Sequence, residues 1–270
     1  MDLLTTLRET QQAFDGVAPA YHRSNVGNPL LEAMRRRVRR TVERHATPGS
    51  HLLDLGCGPG TDAAPFAARG YRVTAVDSSP AMAAEARNRV RDQRLEERVD
   101  VLRLGIHELD RLAPATFDAA YSNFGPLNCV PDLAATARLI AGRLRRGGVL
   151  VASVIGRLCP WEIALFAARR DWARLRVRFA PGFTPVPLEG RIVWTHYYRP
   201  SEFASAFGEA GFETIEQRAL ALFAPPPYLD AFAMRHAALV AALQRLDDVA
   251  GAWPVLRGAG DHFLVVMRKG

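Results

Sequence analysis

Short apolar runs alternate with stretches of helical periodicity through the middle of the chain. Between the runs, helical spacing recurs, as in Leu133, Ala137, Ile140 and Leu144, which share one helix face. The runs are rich in Leu, Val and Ala and predict buried strands at residues 51–55, 71–76, 99–104, 117–121 and 149–155. This regular alternation of strand and helix indicates parallel strand–helix–strand units, and therefore an α/β fold.

The segments on either side of these units follow other patterns. An amphipathic helix after Pro29 carries apolar residues on one face and a run of arginines at 35–40 on the other, which we interpret as a solvated face. Residues 157–190 break the alternation with a Trp-bearing helical stripe, and we expect this long insertion to line a binding pocket. Further downstream, the patterns predict a strand at 191–198, a helix at 200–210, a strand at 212–222, a covering helix at 229–246 and a closing strand at 260–267.

A glycine-rich turn follows the first strand and reads Asp54-x-Gly56-x-Gly58-x-Gly60. Gly56 permits a tight turn, Gly58 lets backbone approach a ligand, and Gly60 stands where a helix begins. The free N–H groups of such a turn suit a polar or anionic ligand group. A dinucleotide fingerprint would need a glycine at the position of Thr61, so the spacing disfavours a nicotinamide-dependent oxidoreductase.

An acidic residue, Asp77, ends the second strand about 20 residues beyond the glycine turn, where such folds bind the two hydroxyls of a nucleotide ribose. The segment that follows, at 78–80, also has the composition of a helix N-cap. Capping explains Ser79 and Pro80 better than it explains Asp77. We therefore predict that Asp77 binds a ribose.

The glycine motif with its leading acid resembles motif I of the class I S-adenosylmethionine-dependent methyltransferases. The resemblance implies a doubly wound, mostly parallel seven-stranded sheet with helices on both faces, a Rossmann-like fold, and a helical insertion or cap. It also implies S-adenosylmethionine as the cofactor. The spacing of Phe14, Ala18 and Tyr21 resembles the N-terminal cap of many small-molecule members. The cofactor-binding residues implied in this way are Tyr21, Asp54, Gly56, Gly58, Gly60, Asp77, Ser78, Met82, Gly105, Ile106, Asn123 and Phe124.

Two positions depart from the patterns of this family. Ile106 stands where many members have an acidic residue that binds the adenine amino group, so backbone and apolar packing would have to hold the adenine. Asn123 and Phe124 resemble motif IV, but the loop is not the Asn-Pro-Pro-Tyr type that grips a planar amino group. The second departure argues against a flipped nucleobase as the substrate.

Four segments are expected from this reading of the chain. They are an N-terminal helical cap at 1–48, a cofactor-binding core at 49–156, a helical insertion lining the acceptor site at 157–190, and the C-terminal part of the sheet with a covering helix at 191–270.

Composition changes this picture little. The net charge of +7 and pI near 9.9 come almost entirely from dispersed arginines, since Lys269 is the only lysine. Cys57, Cys129 and Cys159 lack metal-ligand or disulfide-framework spacing, so we expect no metal. The N-terminus does not resemble a signal peptide, and no apolar run reaches the ~18 residues of a membrane span. We therefore expect a cytoplasmic protein that binds neither membrane nor nucleic acid.

The sequence thus predicts a methyltransferase acting on O, N or S of a small, aromatic or apolar molecule. His196 and His262, at predicted strand ends, are the candidates for a catalytic base, because imidazole titrates near neutral pH. A nucleic-acid-modifying methyltransferase or a basic nucleic-acid-binding protein is the alternative, and its affinity would fall steeply with salt. A cofactor-binding protein without turnover also stays open.

Overall fold

The computed structural model describes residues 3–25 and 27–270, which are organised around a central seven-stranded sheet. The strands of the described residues are β1 (His51–Leu55), β2 (Arg72–Asp77), β3 (Val99–Arg103), β4 (Phe117–Ser122), β5 (Leu144–Ile155), β6 (Phe183–Leu188), β7 (Arg191–His196), β8 (Phe212–Leu220) and β9 (His262–Lys269). The sheet runs in the order β3-β2-β1-β4-β5-β9-β8. Strands β1 to β5 pair in parallel, and β9 pairs antiparallel with both β5 and β8.

Helices cover both faces of this sheet. They are α1 (Leu3–Asn25), α2 (Pro29–His45), α3 (Ala63–Ala68), α4 (Pro80–Asp92), α5 (Leu133–Arg143), α6 (Pro160–Ala168), α7 (Trp172–Val177), α8 (Pro200–Gly208), α9 (Asp230–Arg235) and α10 (Ala237–Ala250). One face packs against α2, α3 and α4 through residues such as Val38 and Phe66. The other packs against α5 and α8 through residues such as Ile140 and Phe203. This architecture confirms the doubly wound fold predicted from the sequence.

Local signals set several of these helix boundaries. Asn28 caps α2, since its side-chain oxygen accepts hydrogen bonds from the backbone of Leu30 at 3.0 Å and Leu31 at 3.1 Å, and a proline follows it. Ser79 caps α4 in the same way, through the backbone of Met82 at 3.0 Å. None of the helices in the described part of the chain combines the length and hydropathy that a bilayer crossing requires.

The strand predicted at residue 191 lies outside the central sheet, which corrects the expected segment boundary. β7 pairs antiparallel with β6 to form a separate two-stranded hairpin. This hairpin packs against α1: the Thr10 hydroxyl accepts the Trp194 amide at 3.2 Å, and the Glu9 carboxylate accepts the Trp194 indole N–H at 2.5 Å. The hairpin and α1 together cover the carboxyl ends of the parallel strands.

Candidate active site

A cavity of about 320 Å³ lies at the carboxyl ends of β1, β2 and β4, beneath α1 and the hairpin. This is the place where open α/β sheets bind ligands. Of the twelve cofactor-binding residues predicted from the sequence, Gly60 does not line the cavity. The other predicted residues line it, namely Tyr21, Asp54, Gly56, Gly58, Asp77, Ser78, Met82, Gly105, Ile106, Asn123 and Phe124.

The glycine turn leaves room for a ligand because Gly56 and Gly58 carry no side chains. Gly56 has φ +73°, and a Cβ there would lie 2.5 Å from Pro126, across the turn. Gly60 serves packing instead: its φ is +72°, and a Cβ would lie 3.2 Å from Ala86 of α4. Helix α3 begins only at Ala63, three residues beyond Gly60. The turn therefore presents backbone to the cavity through Gly56 and Gly58.

Asp77 is held at the tip of β2 by two backbone donors. Its carboxylate accepts the Gly58 amide at 2.8 Å and the Ser79 amide at 2.9 Å. Burial raises the pKa of Asp77 to about 6, although both hydrogen bonds act in the opposite direction. A carboxylate offers about four acceptor positions, so two remain for ligand hydroxyls.

Asp54, the acid of the glycine motif, lies at the floor of the cavity and is buried. The Tyr121 hydroxyl donates to its carboxylate at 2.9 Å, which joins β1 to β4. Burial, together with the nearby Asp62 carboxylate, raises the pKa of Asp54 well above its usual range. The motif acid thus fixes the relative position of two strands that border the cavity.

Arg35 and Asp62 are site residues that the sequence reasoning missed. The Arg35 guanidinium bonds to the Asp62 carboxylate at 2.5 Å and stacks over the Phe124 ring at 4.6 Å. Arg35 and Arg39 are only 12% and 13% exposed, so the interpretation of this arginine face as solvated is wrong for both. The sequence feature that could have indicated a buried Arg35 is its place next to Met34, a residue of the apolar face of α2.

The far half of the cavity is apolar and comes from three separated segments. Leu7 and Phe14 of α1, Val186 and Leu188 of β6, and Val193 of β7 all line it. Residues 157–190 therefore do contribute to the cavity, but through the hairpin strand and not through the predicted Trp-bearing helices.

Helices α6, α9 and α10 lie away from the cavity, which corrects two expectations. The Trp161 indole of α6 donates to the Phe223 carbonyl at 2.7 Å, so this side chain serves to anchor its helix. In α9 and α10, Ala233 and Val240 pack on Leu30 of α2. The predicted covering helix thus packs on α2 and does not line the cavity.

Neither histidine predicted to act as a base lines the cavity. His196 stacks on Tyr198, with ring centroids 4.3 Å apart, and its Nε2 lies 3.1 Å from Glu202. His262 is buried, with Nδ1 2.8 Å from Asp261 and its ring edge-on to Phe124. Since neither side chain reaches the cavity, its geometry gives no support to the catalytic role expected for them.

A buried ionic cluster lies behind the cavity wall. Cys159, Glu162 and Asp261 are grouped closely enough to ligate a metal ion. The Arg178 guanidinium, however, bonds to Glu162 at 2.6 and 2.8 Å and to Asp261 at 2.5 Å. Burial by itself would raise the pKa of the Asp261 carboxyl. The neighbouring Arg178 and His262 have the larger combined effect, and they hold this pKa below its usual range. Arg178 thus supplies the cation in this cluster.

Comparison with known proteins gives concordant results. Residues 52–148 match a family described as a methyltransferase domain. The chain is 31% identical over 162 residues to a ubiquinone biosynthesis O-methyltransferase of Xanthomonas campestris, covering 60% of this chain and 62% of that protein. It is 30% identical over 169 residues to the Methylocella silvestris enzyme of the same name, covering 63% and 60%. The chain thus spans about three fifths of the length of these relatives.

Solved structures share the fold at lower identity. A 1,6-didemethyltoxoflavin-N1-methyltransferase of Burkholderia thailandensis, with bound S-adenosylhomocysteine, superposes with a TM-score of 0.61 at 21% identity, covering 100% of this chain and 91% of that one. The [4+2]-cyclase SpnF superposes with a TM-score of 0.58 at 18% identity, covering 86% and 80%. The same fold therefore serves more than one reaction, and the reaction has to be argued from the site.

Proposed function

We propose that this chain is a class I S-adenosylmethionine-dependent methyltransferase, which transfers a methyl group from S-adenosylmethionine to a small aromatic or apolar molecule. The observation that carries this proposal is the division of one cavity into two halves. A polar half contains Asp77 and the glycine turn, and an apolar half is covered by α1 and the hairpin. A nucleoside cofactor and an apolar acceptor would meet where the halves join.

The polar half fits the parts of this cofactor in turn. Asp77 would accept hydrogen bonds from the ribose hydroxyls, and Ile106 and His107, beyond the end of β3, would border the adenine. Arg35 offers a guanidinium for the methionyl carboxylate, on the opposite side of the glycine turn. When bound, S-adenosylmethionine supplies a methyl group on a sulfonium, which an acceptor atom takes by in-line displacement.

The apolar half would exclude water and orient the acceptor. Alignment of the attacking atom with the methyl group is the main contribution an enzyme makes to such a displacement. Leu7, Phe14, Val186 and Val193 give this half no formal charge, which favours a neutral aromatic or aliphatic molecule. The curated relatives, named as O-methyltransferases of ubiquinone biosynthesis, support an oxygen atom among the possible acceptors.

We also propose a cytoplasmic location and no nucleic-acid partner. Cys57, Cys129 and Cys159 are free thiols, which suits a reducing compartment. Several of the arginines that give the chain its basic charge are engaged in internal contacts, as Arg35 and Arg178 are. A small-molecule acceptor is therefore favoured over a nucleic-acid substrate or partner.

The test is a transfer assay with S-adenosylmethionine that carries a trideuterated methyl group. The purified protein is incubated with a metabolite extract of the source cells, and products are identified by mass spectrometry. We expect a new species with the mass increment of the labelled methyl group, absent with the Asp77→Asn variant. An extract in which no compound acquires the label, although the protein binds S-adenosylhomocysteine, would contradict methyl transfer.

A further inference from the structure

Five residues form a closed ring of contacts at one end of the cavity. Arg35 bonds to Asp62 at 2.5 Å, and the Asn123 side-chain amide donates to the same Asp62 oxygen at 3.0 Å. The Ser153 hydroxyl donates to the Asn123 side-chain oxygen at 2.9 Å and accepts the Phe124 amide at 2.8 Å. The Phe124 ring lies under the Arg35 guanidinium and closes the ring. Four separate segments, α2, the glycine turn, the loop after β4, and β5, are joined in this way.

Ser153 differs from the other members because it does not line the cavity. It is 1% exposed, within β5, and its single hydroxyl both donates and accepts. The directions of these bonds follow from their neighbours. The Asp62 carboxylate only accepts, so the Asn123 NH₂ group must face it, and the Asn123 oxygen must then face Ser153. The Ser153 hydroxyl therefore donates its proton to the Asn123 oxygen and accepts the Phe124 amide N–H.

The loop that Ser153 holds has an unusual backbone. Phe124 has φ +61° and Gly125 has φ +89°, so two consecutive residues lie in the left-handed region. Glycine adopts this region freely, but a residue with a side chain does so at an energetic cost. Such a conformation persists where surrounding contacts determine it. The hydrogen bond from Phe124 to Ser153 and the stacking of Phe124 on Arg35 are those contacts.

We infer that Ser153 is a positioning residue for the cofactor, which holds Asn123, Phe124 and, through them, Arg35 in place around the methionyl end of the cavity. The inference rests on the proposed function, because that function places the methionyl tail beside Arg35. Ser153 acts at this end, since its two hydrogen-bond partners, Asn123 and Phe124, lie in the loop after β4 and Phe124 in turn contacts Arg35 of α2. Asp77, at the nucleoside end, bonds instead to the backbone amides of Gly58 and Ser79, which are not members of the ring.

The test compares two ligands that share the nucleoside but differ in the tail. S-adenosylhomocysteine carries the amino-acid tail, and 5′-methylthioadenosine lacks it. In Ser153→Ala, we expect calorimetry to show about tenfold weaker binding of S-adenosylhomocysteine, as the loss of a buried hydrogen-bonding group predicts. Binding of 5′-methylthioadenosine should stay within about twofold of wild type. Ser153→Thr, which keeps the hydroxyl, should restore most of the affinity for S-adenosylhomocysteine.

Ser122 provides a matched control. It is also buried, in the neighbouring strand β4, but its hydroxyl bonds only to the Leu55 carbonyl, at 3.2 Å, outside the ring. Ser122→Ala should leave the affinity for both ligands unchanged. If Ser153→Ala fails to fold, Ser153→Cys keeps the size with weaker hydrogen bonding, and should show a smaller loss confined to S-adenosylhomocysteine.

Two results would overturn the inference. Equal weakening of both ligands in the Ser153 variants would mean a general structural role, and unchanged affinity for S-adenosylhomocysteine would mean no role in positioning. Wild-type protein that binds neither ligand would instead contradict the proposed function. The two failures are therefore distinguishable in one set of titrations.

Discussion

The affinity for S-adenosylhomocysteine should fall about tenfold when the pH is lowered from 7 to 5. Asp77 must be ionised to accept two ribose hydroxyls while it also accepts the amides of Gly58 and Ser79. Burial raises the pKa of Asp77 to about 6. With this pKa, about nine tenths of the protein is ionised at this site at pH 7 and about one tenth at pH 5, and the apparent affinity scales with that fraction.

The direction of the effect follows from proton linkage. The protonated carboxyl disfavours binding, so affinity rises as the pH increases through 6 and levels off above 7. By the same linkage, binding at pH 6 should release about half a proton per site. Titration calorimetry in buffers with different ionisation enthalpies measures both the affinity and the proton count.

Two variants assign the effect to one group. Asp77→Asn should bind weakly at every pH between 5 and 7, with the pH dependence lost. His107 also lines the cavity and serves as the control position. His107→Gln should therefore keep the tenfold change whatever its absolute affinity. A wild-type affinity that is constant from pH 5 to 7, or a slope that disappears in His107→Gln, would refute the reasoning about Asp77.

Three further predictions concern the glycine turn, the ionic cluster and the apolar half. Gly56→Ala should abolish S-adenosylhomocysteine binding and destabilise the protein by about 2 kcal/mol, because the added Cβ would clash with Pro126 and the residue has positive φ. Gly142→Ala, in α5, is the control: a Cβ there meets open space, so neither effect is expected. Calorimetry measures the binding, and denaturant unfolding measures the stability. Arg178→Met should reduce the free energy of unfolding by about 3–5 kcal/mol, since the buried Asp261 carboxylate and the partly buried Glu162 carboxylate lose their partner. A loss under 1 kcal/mol in urea titration would contradict this. Val186→Trp should reduce methyl transfer more than about tenfold by filling the apolar half while S-adenosylhomocysteine binding is kept, and a parallel loss of both would argue against two separate halves.

The central sheet and the polar half of the cavity could be predicted because their signals are local. Each parallel strand is a short apolar run, and the order of strands follows the rules for βαβ connections. Gly56 and Gly58 indicate a tight turn, where both have positive φ, and Asp77 ends a strand whose register places it beside that turn. Chain spacing alone therefore brings these residues together.

The apolar half could not be predicted in the same way, because its parts meet only through tertiary contacts. The strand at Arg191 alternates as expected, but alternation does not specify a pairing partner, and β7 pairs with β6. The stripe from Trp161 to Phe179 has helical spacing, yet it is interrupted at Arg170, where φ is +55°. The two short helices that result, α6 and α7, contribute no residue to the lining of the cavity.

The environment of charged residues could not be predicted from the sequence for a related reason. Arg35 belongs to a run of arginines whose exposure cannot be read from spacing, and its partner Asp62 lies 27 residues away. His262 stands at a strand end, as a catalytic residue often does, but its own neighbour Asp261 and Arg178 hold it within a buried ionic cluster. Long-range ion pairs have no signature in a single sequence.

A crystal structure of the protein with S-adenosylhomocysteine tests the central claim most directly. The account predicts both ribose hydroxyls within hydrogen-bonding distance of the Asp77 carboxylate, the methionyl carboxylate beside Arg35, and the sulfur facing the apolar half beneath the hairpin. A nucleoside bound elsewhere, or one bound in this cavity with its ribose away from Asp77, would contradict it.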